Sequence, residues 1–142
     1  MADMTVVVID GQGGGIGAHI IEKMRKNLPE ALLEKIDIIA IGTNAIATSL
    51  MMKAGANKAA TGENSIVHVC RSADMIIGSW AILVPNSMLG ELTPVMASAI
   101  SSSEARKLLV PLPQQGTELI GVMPEPFPHL IDKLIDRLKG ML

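Results

Sequence analysis

Five glycines fall within seven positions, Gly11 to Gly17, directly after the β-branched apolar run Thr5 to Ile9 and before helical spacing at Ile16, Ile20 and Met24. A strand, a glycine turn and a helix start are the context in which a loop holds a phosphate group. Small residues let the backbone N–H groups face outward, and the helix N-terminus favours an anion. The candidate binding residues are Asp10, Gly11, Gln12, Gly13, Gly14, Gly15, Ile16 and Gly17. Glycine costs order in the folded chain, about 1 kcal/mol each, so five together argue for a purpose beyond turning. The competing reading is a glycine-rich turn that binds nothing.

The spacing separates several loop types. Gly-x-Gly-x-x-Gly fails, because starting from Gly11 and Gly13 the third position is Ile16. Gly-x-x-x-Gly-x-Gly fits through Gly11, Gly15 and Gly17, and with its Gly-Ile-Gly ending resembles the loop of the short-chain dehydrogenases. Gly15 would then admit a phosphate close to the backbone, and Gly17 would let the helix pack tightly on the strand. A Walker A loop is excluded by the absence of Gly-Lys-Ser/Thr. The catalytic Tyr-x-x-x-Lys pair that this resemblance implies is also excluded, because the chain contains no tyrosine.

Other residues could take part in chemistry at the same place. Gly42, Thr43 and Asn44 follow the second predicted strand and could bond a ribose or a 2′-phosphate, though no arginine stands beside them to favour NADP. The acid usual at that strand end is missing, since the nearest candidate, Asp37, lies at the strand's start. Asn86 and Ser87 follow the fourth strand and could contact a ligand or cap a turn after Pro85. Asp10 and Glu91 are the acids best placed for proton transfer, although loop carboxylates more commonly cap. His19 would sit in the first turns of the first helix, as a ligand contact or simply packed. His68 and Cys70 are two apart on a predicted helix and point different ways, a poor metal pair. No metal site and no catalytic residue is assigned.

Those side chains need elements to position them. The 142 residues suit one domain, 1–142, large enough for a substantial core. Apolar residues make up 49% and charged residues 18%, which favours strands covered on both faces and further surface hidden in an oligomer. Helices are predicted over 16–27, 45–54, 63–72 and 93–100, and an amphipathic one carries Leu130, Ile131, Leu134, Ile135 and Leu138 on one face. Strands are predicted over 5–9, 36–42, 56–60, 74–78, 107–112 and 118–122. Alternation of this kind implies right-handed crossovers and a mainly parallel sheet of five or six strands. The last two strands are close enough to form a hairpin and give an antiparallel edge. Glu22 and Lys26 stand at the favourable i,i+4 spacing.

Composition narrows the function classes. The net charge is −2, from 12 basic and 14 acidic residues, with one Trp and one Phe, so the basic groove and stacking aromatics of a nucleic-acid binder are missing. No apolar run is long enough for a membrane helix. With a single cysteine, Cys70, and no basic region before the first apolar run, a cytoplasmic setting is expected.

DGQGGGIG, GTNAIATSLMMKAGA, TGEN and NSMLGELTP together resemble a small bacterial family of domains of unknown function, number thirty-eight forty-two. The resemblance spans nearly the whole chain and implies a Rossmann-like three-layer α/β/α domain without naming an activity. The function expected is binding of a nucleotide, a dinucleotide such as NAD(P), or another phosphorylated small molecule at 10–17. If the chain is an enzyme, an NAD(P)-linked oxidoreductase is the first candidate. The alternative is a non-catalytic interaction or regulatory subunit whose glycine loop is structural. A homodimer or larger assembly is expected, from the apolar content and the segment Trp80 to Val84.

Overall fold

The computed structural model describes residues 2–142. Five strands form one sheet: β1 (Met4–Asp10), β2 (Ile36–Gly42), β3 (Lys58–Thr61), β4 (Met75–Ser79) and β5 (Arg106–Val110). All four pairings are parallel and the order is β3-β2-β1-β4-β5. The helices are α1 (Gly15–Asn27), α2 (Glu30–Leu33), α3 (Ala45–Lys53), α4 (Glu63–Cys70), α5 (Pro94–Ser102) and α6 (Phe127–Met141). A 3₁₀ turn, Trp80–Leu83, follows β4.

β1 lies at the centre because nearly every side chain on it is a large aliphatic that must be buried. Its alternation feeds two cores. Val6 and Val8 face one side with Ile20, Ile21 and Met24 of α1, Met51 of α3 and Ile131, Leu134, Ile135 and Leu138 of α6. Val7 and Ile9 face the other side with Ile66 of α4, Ile82, Leu92 and Met96, Ala97 and Ile100 of α5. The fold is therefore a Rossmann-like three-layer α/β/α sandwich. No helix among the described residues is long and apolar enough to cross a membrane.

Local signals in the sequence account for several boundaries. Asn44 caps α3 by accepting the Ala47 N–H at 2.9 Å, and Thr93 caps α5 by accepting the Met96 N–H at 3.1 Å before Pro94. Gly55, at φ 121°, lies just past α3 in a conformation open to glycine. The Glu22–Lys26 pair forms at 3.7 Å on the exposed face of α1.

Three expectations are corrected. No strand forms over 118–122, so among the described residues there is no sixth strand and no antiparallel edge; beyond the five strands they hold only an isolated bridge, Gln114 to Thr117. Pro111 and Pro113 break the donor pattern after β5, and Gly116 and Gly121 turn the chain at positive φ. β3 starts at Lys58 rather than Ala56, because the side chain of Asn57 takes the Ile38 N–H at 2.8 Å in place of a ladder bond. The segment Trp80–Val84 is not an uncovered face: Ala81 and Ile82 are buried and the rest is half-buried.

Candidate functional site

The strand order reverses direction between β1 and β4, and there the carboxyl ends open a crevice. The glycine loop lies at that point. A cavity of about 380 Å³ is bounded by Asp10 to Ile16, by Ser79 and Ala81 after β4, by Met88, by Leu112 to Gln114 after β5, and by Phe127 at the start of α6.

Within the loop the backbone donors divide into two sets. Asp10, buried at the end of β1, accepts the N–H of Gly11 at 2.8 Å and of Gly17 at 2.7 Å on its two carboxylate oxygens. Glu91 accepts the N–H of Gln12 at 2.8 Å, and Gly14 bonds back to the Gly11 carbonyl at 2.9 Å. The N–H groups of Gly13 and Gly15 have no acceptor among the described residues. A Cβ built on either residue would meet nothing within 4 Å, and both residues line the cavity.

Gly14 takes φ 74° and ends against the backbone of Ala47, where no side chain would fit. Gly17 is equally enclosed: a Cβ there would meet Met51 Sδ at 2.5 Å and the Asp10 Cβ at 2.9 Å. Gly17 thus serves the close packing of α1 on β1 that its spacing predicts. Gly15 is free of contact, so space alone does not require a glycine there.

The two acids have opposite electrostatics. Burial pushes the Asp10 carboxyl above its ordinary value, against the lowering effect of the Gly17, Gly11 and Ile16 N–H groups, with Glu91 adding repulsion. Glu91 is held below its ordinary value by hydrogen bonds from the Thr43 hydroxyl, the Gln12 N–H and the Asn44 amide, opposed by slight burial. The Thr43 hydroxyl donates at 2.7 Å and the Asn44 amide at 2.8 Å, both to Oε1. Thr43 and Asn44 therefore grip an acid of the protein itself. Asp10 is a cap for the loop and helix rather than a group open for proton transfer.

The remaining candidates divide. Gly42 is buried against Thr48 behind the corner. Asn86 and Ser87 do not line the cavity: the Asn86 N–H bonds the Leu92 carbonyl at 2.7 Å and the Ser87 hydroxyl bonds the Ala81 carbonyl at 2.7 Å. They shape the turn that presents Met88 to the cavity instead. His19 packs its ring on Phe127, centroids 5.5 Å apart. Cys70 is buried with its thiol pushed up to about 11, and His68 is exposed. Asp37 pairs with Lys58 at 3.0 Å, away from the crevice. No group of three or more acids, histidines and cysteines among the described residues is placed to hold a metal.

Phe127 escapes the sequence reading, and Glu91, a candidate acid by type, takes its partners only through the fold. Phe127 comes to the cavity only because α6 packs on α1, and its one legible signal is its place between Pro126 and Pro128. Glu91 reaches the β2 end from a loop distant in sequence. A family model described as Domain of unknown function (DUF3842) matches residues 5–142. No curated protein and no solved structure gives a significant match.

Proposed function

We propose that this chain, which belongs to the family of domains of unknown function matched over residues 5–142, binds a nucleotide or another phosphorylated small molecule at its glycine loop. The observation that carries this is the loop's position: unpartnered Gly13 and Gly15 N–H groups border an open cavity at the reversal point of a parallel sheet. Anions placed there gain backbone hydrogen bonds and the field of the α1 N-terminus without a basic side chain. Ligand pockets span roughly 300–1,000 Å³, and a cavity near 380 Å³ suits a mononucleotide or one half of a dinucleotide such as NAD(P). No residue is assigned to catalysis. A cytoplasmic setting suits the one cysteine, which is buried and unpaired.

Native mass spectrometry of the purified protein tests this directly. A co-purified mass matching a phosphorylated metabolite, or stabilisation by one in a thermal-shift screen, is the expected result. A clean apo mass together with no response across nucleotides, dinucleotides and sugar phosphates would remove the proposal.

A second reading has its own observation. Leu119, Ile120, Val122 and Met123 are exposed on a segment that belongs to no strand, with Ile120 88% and Met123 77% accessible. Such a surface favours self-association, with the chain acting as an interaction subunit.

A further inference from the structure

The cavity at the glycine loop is one-sided. Its walls come from the end of β1, from the segments after β4 and β5, and from the start of α6, and no residue of 42–48 or 61–64 borders it. On that other side the β2 corner is closed, because Glu91 takes the Gln12 N–H at 2.8 Å, the Thr43 hydroxyl at 2.7 Å and the Asn44 amide at 2.8 Å. A ligand whose phosphate rests at Gly13 and Gly15 therefore finds its room over β4 and β5.

Two polar side chains are buried at this end of the sheet, Asp10 and Ser79, at 4% and 3% exposure, and both border the cavity. The pairing of Val8 with Ile77, continued by two places, sets Ser79 beside Asp10 on the face of the sheet that carries α1. Asp10 spends one oxygen on the Gly11 N–H and the other on the Gly17 N–H. Ser79 accepts the Ala81 N–H at 3.2 Å, and its own hydroxyl hydrogen has no acceptor among the described residues. Buried polar groups are ordinarily spent, so a buried hydroxyl that keeps a donor in hand at a cavity wall calls for an acceptor from outside.

We infer that Ser79 holds the ligand's phosphate together with the Gly13 and Gly15 N–H groups, and that the ligand carries a planar ring laid over β4 and β5 against Phe127. This rests on the phosphate-site reading above and narrows it to phosphate esters that bear an aromatic ring.

The far wall suits such a ring. Ala81, Met88, Leu112, Pro113 and Phe127 give it apolar surface. His19 of α1 packs on Phe127 with the ring centroids 5.5 Å apart and the planes at 59°, so the Phe127 ring is already held when a ligand arrives and little side-chain freedom remains to be lost. An aromatic side chain stacks on any flat π-system without a hydrogen-bond code. The hydroxyl, donating to a charged oxygen, strengthens the grip on phosphate in a loop that has no basic residue.

Titration calorimetry compares ribose 5-phosphate with the 5′-monophosphates of adenosine, guanosine, cytidine and uridine. At least one nucleotide is expected to bind the wild type about tenfold or more tightly than ribose 5-phosphate, the ring supplying the difference. Phe127→Leu should reduce that ratio to within about threefold. Ser79→Ala should weaken both kinds of probe about tenfold, as loss of a hydrogen bond to a charged group implies. In a titration of the wild type followed by NMR, the tightest nucleotide should move the signals of Gly13, Gly15, Ser79, Leu112 and Phe127 and leave Thr43, Asn44 and Thr61 in place. Shifts centred on Thr43, Asn44 and Thr61 would overturn the inference with no variant needed, and would leave nucleotide binding standing. Ribose 5-phosphate bound as tightly as every nucleotide overturns the ring and leaves phosphate binding standing. Unweakened binding by folded Ser79→Ala overturns the role of the serine. Binding of no probe by the wild type defeats this inference and the reading beneath it together.

Discussion

The Oδ2 of Asp10 accepts the backbone N–H of Gly17 at 2.7 Å, tying the last residue of β1 to the first turn of α1. With the Gly11 N–H on Oδ1, one buried carboxylate closes both ends of the loop between them. The glycine loop is therefore held as a rigid bracket whose outer donors, at Gly13 and Gly15, are left facing the crevice. This bond requires α1 to approach β1 closely, which is why position 17 tolerates no side chain.

Gly17→Val should accordingly destabilise the protein by about 1–3 kcal/mol through overpacking against Met51 and Asp10. Urea unfolding gives the difference. An unchanged midpoint would mean that α1 shifts on the sheet without cost, and that the bracket is not rigid.

Glu91 predicts a pH dependence with a definite sign. Its folded-state value lies below the ordinary 4.5 because Thr43, Gln12 and Asn44 stabilise the charged form. The unfolded state takes up its proton first on acidification, so the contribution is present above the unfolded value and is lost as pH falls through the folded one. The stability gap between wild type and Glu91→Gln should be constant near neutrality and shrink as the pH falls below the ordinary carboxylate value. Asp10, raised chiefly by burial, runs in the opposite sense in both proteins; Glu91 is the smallest of the causes acting on it, so the variant relieves only a minor part of that shift. A gap that stays constant on acidification would show that the three bonds do not hold the charged form.

What the sequence reveals here is local, and what it conceals is the pairing of distant parts. The run Thr5 to Ile9, the glycines and the spacing of Ile20 and Met24 mark β1, the loop and α1 because each signal lies within one element. Asn44 and Thr93 cap helices for the same reason. The aliphatic residues at 119, 120 and 122 carry equal β propensity, yet a strand needs a neighbour, and Pro111 and Pro113 turn the chain away from the sheet edge. The short helix α2, after Pro29, has no periodicity long enough to be seen. Glu91 is 79 positions from Gln12 and 48 from Thr43, so no spacing rule could place it at the β2 corner. Asp10 reads by type as either a cap or an acid for proton transfer, and its burial and its two backbone partners decide for the cap.

Self-association is expected to use 119–123 rather than Trp80 to Val84, which is buried or half-buried. Sedimentation of the wild type at high micromolar concentration should give a dimer or larger species. The double variant Ile120→Asp, Met123→Asp should be a folded monomer, because both side chains are exposed and their loss leaves the core intact. A monomeric wild type would sink the assembly, and an oligomeric variant would move the contact to another face.

The last prediction concerns the open donors themselves. Partial positive charge of about half a unit gathers at the start of α1, and at Gly15 nothing stands within 4 Å of a side chain's first atom. Gly15→Asp should therefore fold normally, since position 15 is not among the positive-φ glycines. Its carboxylate would project into the space a ligand phosphate needs, satisfying the same N–H groups and repelling the anion. Nucleotides, NAD(P) among them, should raise the wild-type melting temperature and leave the variant's unmoved. Gly13→Ala, without charge in equally open space, should keep most of the response and so separate electrostatic blocking from mere bulk. If Gly15→Asp responds to every nucleotide as the wild type does, the ligand does not lie on the Gly13 and Gly15 donors. The glycines would then serve the bracket between Asp10 and Gly17 alone.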